Sequence, residues 1–133
     1  MPFYAVRNAT PANTLQSAPS VEEFNLPACI ITKVFLQFPA GCAGMVFVQV
    51  MRGGAVIWPS GPEQAIAADG RVVEFVEHYE VPQLEQWRLV TWSPGTTNAH
   101  NIDLWLEVRP HFVRPELPDA ETVLAEVQAY LGV

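Results

Sequence analysis

The sequence predicts an all-β domain: an antiparallel β-sandwich, jelly-roll-like, with an extended N-terminal arm and one short C-terminal helix. Three observations predict it. Short runs rich in Val, Ile, Phe and Trp alternate apolar and polar residues at period two, the period of a strand. Glycine- and proline-rich breaks divide these runs into about seven strands, as in sandwiches and barrels. Only the stretch after Pro118 carries helical spacing. The organisation read from this is an arm over residues 1–20, a sandwich over 21–110, and a linker with an amphipathic helix over 111–133.

Within the arm, Phe3-Tyr4-Ala5-Val6 is a short apolar run able to pair at a sheet edge. Thr10 to Ser20 is rich in Pro, Ser, Thr and Ala and suits neither helix nor central strand. Composition leaves open whether it lies along its own domain or reaches a neighbouring subunit. Val21 to Asn25 reads as a short strand, and Pro27 marks a bend.

The centre of the chain is Ala28 to Pro59. In its first run Ile30, Thr32, Val34, Leu36 and Phe38 share one face, opposite Ile31, Lys33, Phe35 and Gln37. In its second, Val46, Val48 and Val50 alternate with Met45, Phe47, Gln49 and Met51, and β-branching favours the pleated surface. The two are expected as central strands of one hairpin, ending at the Gly53-Gly54 turn. Ala55 to Trp58 follows, then a loop through Pro59 and Pro62 to the Asp69-Gly70 turn signal.

Arg71 to Glu77 is the next strand, with Val73 and Phe75 opposite Val72, Glu74 and Val76. An irregular connection is expected from His78 to Leu84. Gln86 to Thr91 and His100 to Arg109 read as strands joined by a long polar hairpin loop. In the last, Ile102, Leu104, Leu106 and Val108 face away from Asp103, Trp105, Glu107 and Arg109. Three prolines then break the chain up to Pro118, after which Asp119 caps a helix to about Leu131, with Val123, Leu124, Val127 and Leu131 as its apolar stripe. So short a helix is marginal alone, and its stripe must dock on the sandwich or on another chain.

Composition narrows the function. Half the residues are apolar and 16% are charged, well below the roughly 25% usual for a domain, so a docking surface or an oligomer is expected. A net charge of −7 with a single lysine, Lys33, argues against nucleic acid. No apolar run is long enough to span a membrane and no signal peptide is evident, so secretion and membrane spanning have no support, and the expected location is a cytoplasm or an assembly built there. Cys29 and Cys42 flank a strand that would hold them beyond the ~7 Å limit for a disulfide, and both are read as free thiols.

The search for catalytic sets is negative. Phosphate-loop, dinucleotide, HExxH, GxSxG and CxxC signatures are all missing, so no enzyme activity and no cofactor or metal is expected. His78, His100 and His111 are scattered, without the HxH pair of a metal-binding cupin. Glu74, Glu77 and Glu80 are densest among the acids, yet strand parity sets Glu77 opposite Glu74, which favours a solvated face over a paired-carboxylate site. Aromatics are more informative. Phe35 and Trp105 fall on the outer face, where they lie under the terminal helix or arm or contact another molecule. With Trp58, Trp92 and the stripe residues Val123, Val127 and Leu131 they form the candidate interface.

The segments FPAGCAGMVFVQV, IWPSGP and LVTWSPGTTNAHNIDLWLEV, within Cys29 to Pro110, resemble the small β-sandwich proteins encoded among tailed-phage virion genes, such as capsid decoration and head-fibre-base proteins. The resemblance implies a cement-like or fibre-like subunit in the virion, docked on a larger scaffold such as a capsid and commonly a symmetric trimer. It carries no site residue over to this chain. The alternative is a carbohydrate-binding module stacking sugars on Trp58, Trp92 and Trp105, against which stand the missing secretion signal and calcium-ligand cluster.

Overall fold

A computed structural model describes residues 3–60 and 65–110. The expected C-terminal helix and its stripe residues Val123, Val127 and Leu131 lie outside the described residues.

Eight strands are described: β1 (Phe3–Thr10), β2 (Ser20–Leu26), β3 (Cys29–Phe38), β4 (Phe47–Arg52), β5 (Ala55–Trp58), β6 (Arg71–Val81), β7 (Glu85–Trp92) and β8 (His100–Pro110). They form two four-stranded antiparallel sheets, in the orders β1-β8-β3-β6 and β2-β7-β4-β5. The pairs β1–β8, β2–β7, β3–β6 and β4–β5 nest inside one another, the last closed by Gly53 with φ 57°. Of the successive strands, only β4 and β5 pair directly as a hairpin.

This corrects three expectations. β3 and β4 are each central, but in different sheets, so the Pro39–Val46 connection crosses between layers. Likewise, β7 and β8 belong to opposite sheets. Extended polar loops signal a chain reversal without saying whether it stays in one sheet. β6 also runs on through His78 to Val81, because the strand alternation continues past Glu77 and no proline occurs before Pro82.

The inward rows of both sheets share one core. Val34, Leu36 and Phe38 of β3 and Ile102, Leu104, Leu106 and Val108 of β8 meet Val48 and Val50 of β4 and Trp87 and Leu89 of β7. Each such side chain contributes roughly 1.5–3 kcal/mol on burial. The face assignment in β3 changes at Thr32. Between Ile31 and Lys33 β3 carries one more residue than β8, so Cys29 and Ile31 point inward before this bulge, and Val34 after it. The Thr32 hydroxyl donates to the Glu107 carbonyl at 3.1 Å.

The predicted arm is part of the sandwich. Residues 3–10 pair with β8 along their whole length, and the following segment is tied to the β7–β8 loop: Asn13 N–H donates to Thr96 Oγ1 at 2.9 Å and Ser93 N–H to the Thr14 carbonyl at 2.8 Å. Where edge strands β1 and β2 meet, a buried polar set joins the sheets. Asn8 Nδ2 donates to the carbonyls of Leu89 at 2.8 Å and Ser20 at 3.1 Å, Ser20 Oγ donates to Asn8 Oδ1 at 2.7 Å, and the Thr10 and Thr91 hydroxyls share a 2.6 Å hydrogen bond. Replacing Asn8, 1% exposed, by Ala removes the amide donor to both carbonyls and the acceptor of the Ser20 hydroxyl. Asn8→Ala should lower unfolding stability by about 1–3 kcal/mol in urea denaturation, with the m-value unchanged.

Candidate functional site

Strand parity that buries one row of each strand turns the other row outward, and on the β1-β8-β3-β6 sheet that outer row is unusually apolar. Phe3, Phe35, Val72 and Trp105 line a hollow of about 330 Å³ across all four strands, with Gln37, Glu74 and Asp103 as polar members. Trp105 is 49% exposed, Phe3 54% and Val76, farther along β6, 80%. Phe35 lies opposite Trp105 on β8 and Glu74 on β6, and its ring is 6.3 Å from that of Phe3. A second hollow of about 220 Å³ on the β1 side is lined by Ala5, Val6, Arg7, Asp103 and Trp105, so the indole stands between two depressions.

Two ion pairs border this surface. Arg7 donates two hydrogen bonds to Asp103, at 2.7 and 3.1 Å. Lys33 Nζ lies 2.7 Å from Glu74 Oε1 and 5.4 Å from the centre of the Phe35 ring. The hydrogen bond to Asp103, and then its charge, raise the pKa of Arg7, and Glu74 does the same for Lys33. Apolar centre and charged border together match the anatomy of a protein-contact surface.

Of the predicted interface residues, Phe35 and Trp105 come together here. Trp58 and Trp92 do not. Trp58 is 2% exposed and packs against Trp87 at 5.7 Å, Phe75 at 5.8 Å and Tyr79 at 6.0 Å, with Nε1 donating to Glu77 Oε2 at 2.8 Å. Trp92 is 6% exposed and stacked on Phe47, its partner across the β4–β7 ladder. Both were named as interface candidates, yet aromatic packing covers them, within the β4–β7 ladder for Trp92 and against both sheets for Trp58. Phe3, Val72 and Val76 were missed. The parity of β6 already set Val72 and Val76 opposite Val73 and Phe75, and Phe3 was hidden by its place in the predicted arm.

Among the described residues the titratable groups are dispersed. His78 stands mid-strand within 3.7 Å of Glu80, and His100 lies toward the opposite end of the sheet, opposite Thr10. Glu74 pairs with Lys33 while Glu77 holds Trp58, so these carboxylates serve separate partners. Among the described residues no three His, Cys, Asp or Glu side chains are grouped to hold a metal ion, and no helix is long and apolar enough to cross a membrane.

No protein-family model matches this chain, and no curated protein matches it. A solved structure entitled "Crystal Structure of FLHE" is similar over 84% of this chain and 100% of that one, at 15% identity and a TM-score of 0.40. A likeness at that level says nothing about function.

Cys29 and Cys42 are both free and buried. Burial raises the pKa of each thiol, aided by Glu85 near Cys29 and Asp69 near Cys42, so neither is poised as a nucleophile. The folded state therefore holds their protons more tightly than the unfolded chain does. Their contribution to stability is complete below the unfolded thiol pKa of about 8.5 and is lost as pH rises through the higher folded values. A Cys29→Ala/Cys42→Ala variant should show a shallower loss of stability than the unmodified protein between pH 8 and 10, in urea denaturation followed across that range.

Proposed function

We propose that this chain is a non-enzymatic assembly protein, a subunit that associates with copies of itself and docks on a larger scaffold. The observation that carries this reading is the outer face of the β1-β8-β3-β6 sheet, where Phe3, Phe35, Val72 and Trp105 form an apolar surface bordered by ion pairs. Large contiguous apolar patches on a soluble domain mark contact sites, and buried aromatic anchors dominate the energetics of such contacts.

The nested strand pairing supports the finer reading of the sandwich as a jelly roll, an architecture used by viral capsid and lectin domains among others. With the resemblance to tailed-phage decoration and fibre-base proteins, it favours a virion-associated subunit, with a trimer as the assembly that resemblance implies. Fold alone does not carry function, so the assembly reading rests on the face.

A carbohydrate-binding reading is left with Trp105, since Trp58 and Trp92 are buried. Its support is the exposed indole between two hollows with Asp103 at hand. Binding to a glycan array that disappears in Trp105→Ala would favour it, and no binding by the unmodified protein would remove it.

Sedimentation equilibrium should report an oligomer at micromolar concentration. Trp105→Ala, at a half-exposed position outside the core, should weaken self-association at least tenfold, about 1.4 kcal/mol, without lowering the urea midpoint appreciably. A monomer at every concentration would count against assembly between copies.

A further inference from the structure

We infer that β6 is a joining edge: two copies of this chain pair β6 to β6, antiparallel, across a two-fold axis at Val76, which fuses their β1-β8-β3-β6 sheets into one sheet. This rests on the assembly reading and adds a second joint, separate from the contact through the outer face.

An edge strand offers a row of N–H and C=O groups to any chain that can pair with them. Among the described residues β6 pairs with β3 alone, so its other side is open along the 11 residues of Arg71–Val81. The other edges are shorter or fastened. β5 has 4 residues and runs into Pro59, β2 has 7, and β1, with 8, is held to Ser20 and Leu89 through Asn8. Proline, lysine or brevity blunts such edges. β6 has none of these, and Val72, Val73, Phe75, Val76, Tyr79 and Val81 favour an extended ladder. Val76, at its midpoint, is 80% exposed, more than Phe3 or Trp105.

Charge selects the partner and the register. In a two-fold antiparallel pair, residues equally far on either side of the axis stand opposite each other on one face. With the axis at Val76 the whole strand is paired, Val76 meets Val76, and Glu74 of each copy meets His78 of the other. Glu74 already holds Lys33 at 2.7 Å and His78 lies 3.7 Å from Glu80, so the joint links these charges into one line. An axis at Glu74 sets that carboxylate against itself, and one at Glu77 sets Glu74 against Glu80 twice; both are repulsive. An axis at Phe75 or His78 pairs less of the strand and puts no carboxylate opposite a base. β6 carries one residue more than β3 between Val76 and Tyr79, yet exposed and half-buried positions alternate without a break from Val72 to Glu80, so the outer row keeps its face through the joint. A ladder of this length supplies about ten hydrogen bonds, as many as a standard protein interface holds. The two-fold contact also closes on itself, whereas β6 against β1 of another copy, the opposite edge of the same sheet, would run on into a filament.

Disulfide trapping in the full chain reads the register. Val76→Cys sets two thiols opposite each other with Cα atoms about 4.5–5.5 Å apart, within the span of a disulfide. In Val72→Cys each thiol falls opposite Glu80, which leaves the two about 26 Å apart along the strands at ~3.3 Å per residue. With diamide as oxidant, non-reducing electrophoresis should show a linked dimer for Val76→Cys, none for Val72→Cys, and none for the unmodified protein, whose two cysteines are buried. Val76→Lys, at an exposed position, should raise the dissociation constant in sedimentation equilibrium roughly tenfold and leave the urea midpoint in place. Linking of Val72→Cys as readily as Val76→Cys would overturn the inference, as would linking of neither. The two readings fail separately. An oligomer that Trp105→Ala weakens but Val76→Cys does not trap sinks the edge alone; a dimer trapped through Val76→Cys and indifferent to Trp105→Ala sinks the face contact alone; a monomer at every concentration, with no trapping, sinks both.

Discussion

The rest of this structure depends on two sheets burying their inner rows against each other. Val34, Leu36, Ile102, Leu104 and Leu106 from one layer meet Val48, Val50, Trp87 and Leu89 from the other. Because side chains alternate along a strand, committing one row to the core dictates which row remains outside. The outward position of Trp105 thus follows from the inward position of Leu104 and Leu106. A one-residue slip of β8 would exchange them, exposing the leucines and burying Asp103 and Glu107.

The two sides of the sandwich are closed by different chemistry. Between β1 and β2, Asn8, Thr10, Ser20 and Thr91 form a buried hydrogen-bonded set that leaves little freedom in how the sheets meet. Toward β5 and β6, closure is aromatic and ionic: Trp58, Phe75, Tyr79 and Trp87 pack between the layers, and Arg52 reaches from β4 to Glu85 and to the Tyr79 hydroxyl at 3.0 Å. Beside this cluster lies a hollow of about 510 Å³ lined by Trp58, Pro59, Ile66, Val73, Phe75 and Glu77. The Trp87 Nε1 group, buried in the cluster, has no hydrogen-bond partner among the described residues.

Much of the layering was legible because period-two alternation is a local property. The inward row of β8 and the valines of β4 could be read directly, as could the outward placing of Phe35 and Trp105. Strand pairing was not legible in the same way: β3 and β4 are neighbours in sequence but lie in different sheets, and no local residue announces a crossing. The bulge at Thr32 was equally hidden, since one extra residue in an alternating run leaves no mark when Ile occupies both Ile30 and Ile31. Trp58 and Trp92 were misplaced because their cover comes from residues far along the chain or on another strand, Trp87 and Phe47 among them. For the candidate surface, the sequence revealed the rows of β3 and β8 but left out Phe3, which only the β1–β8 ladder brings beside Phe35.

The antiparallel ladder between β1 and β8 has a mechanical consequence. Phe3 is level with Glu107, so the start of β1 and the end of β8 emerge at the same end of the sheet. Tension applied between them would open that ladder rung by rung, loading one hydrogen-bonded pair at a time, whereas tension between Thr10 and Glu107 would shear all eight rungs together. A subunit gripped by both ends would therefore yield at its seam under modest force, and one gripped through the Thr10 side would hold.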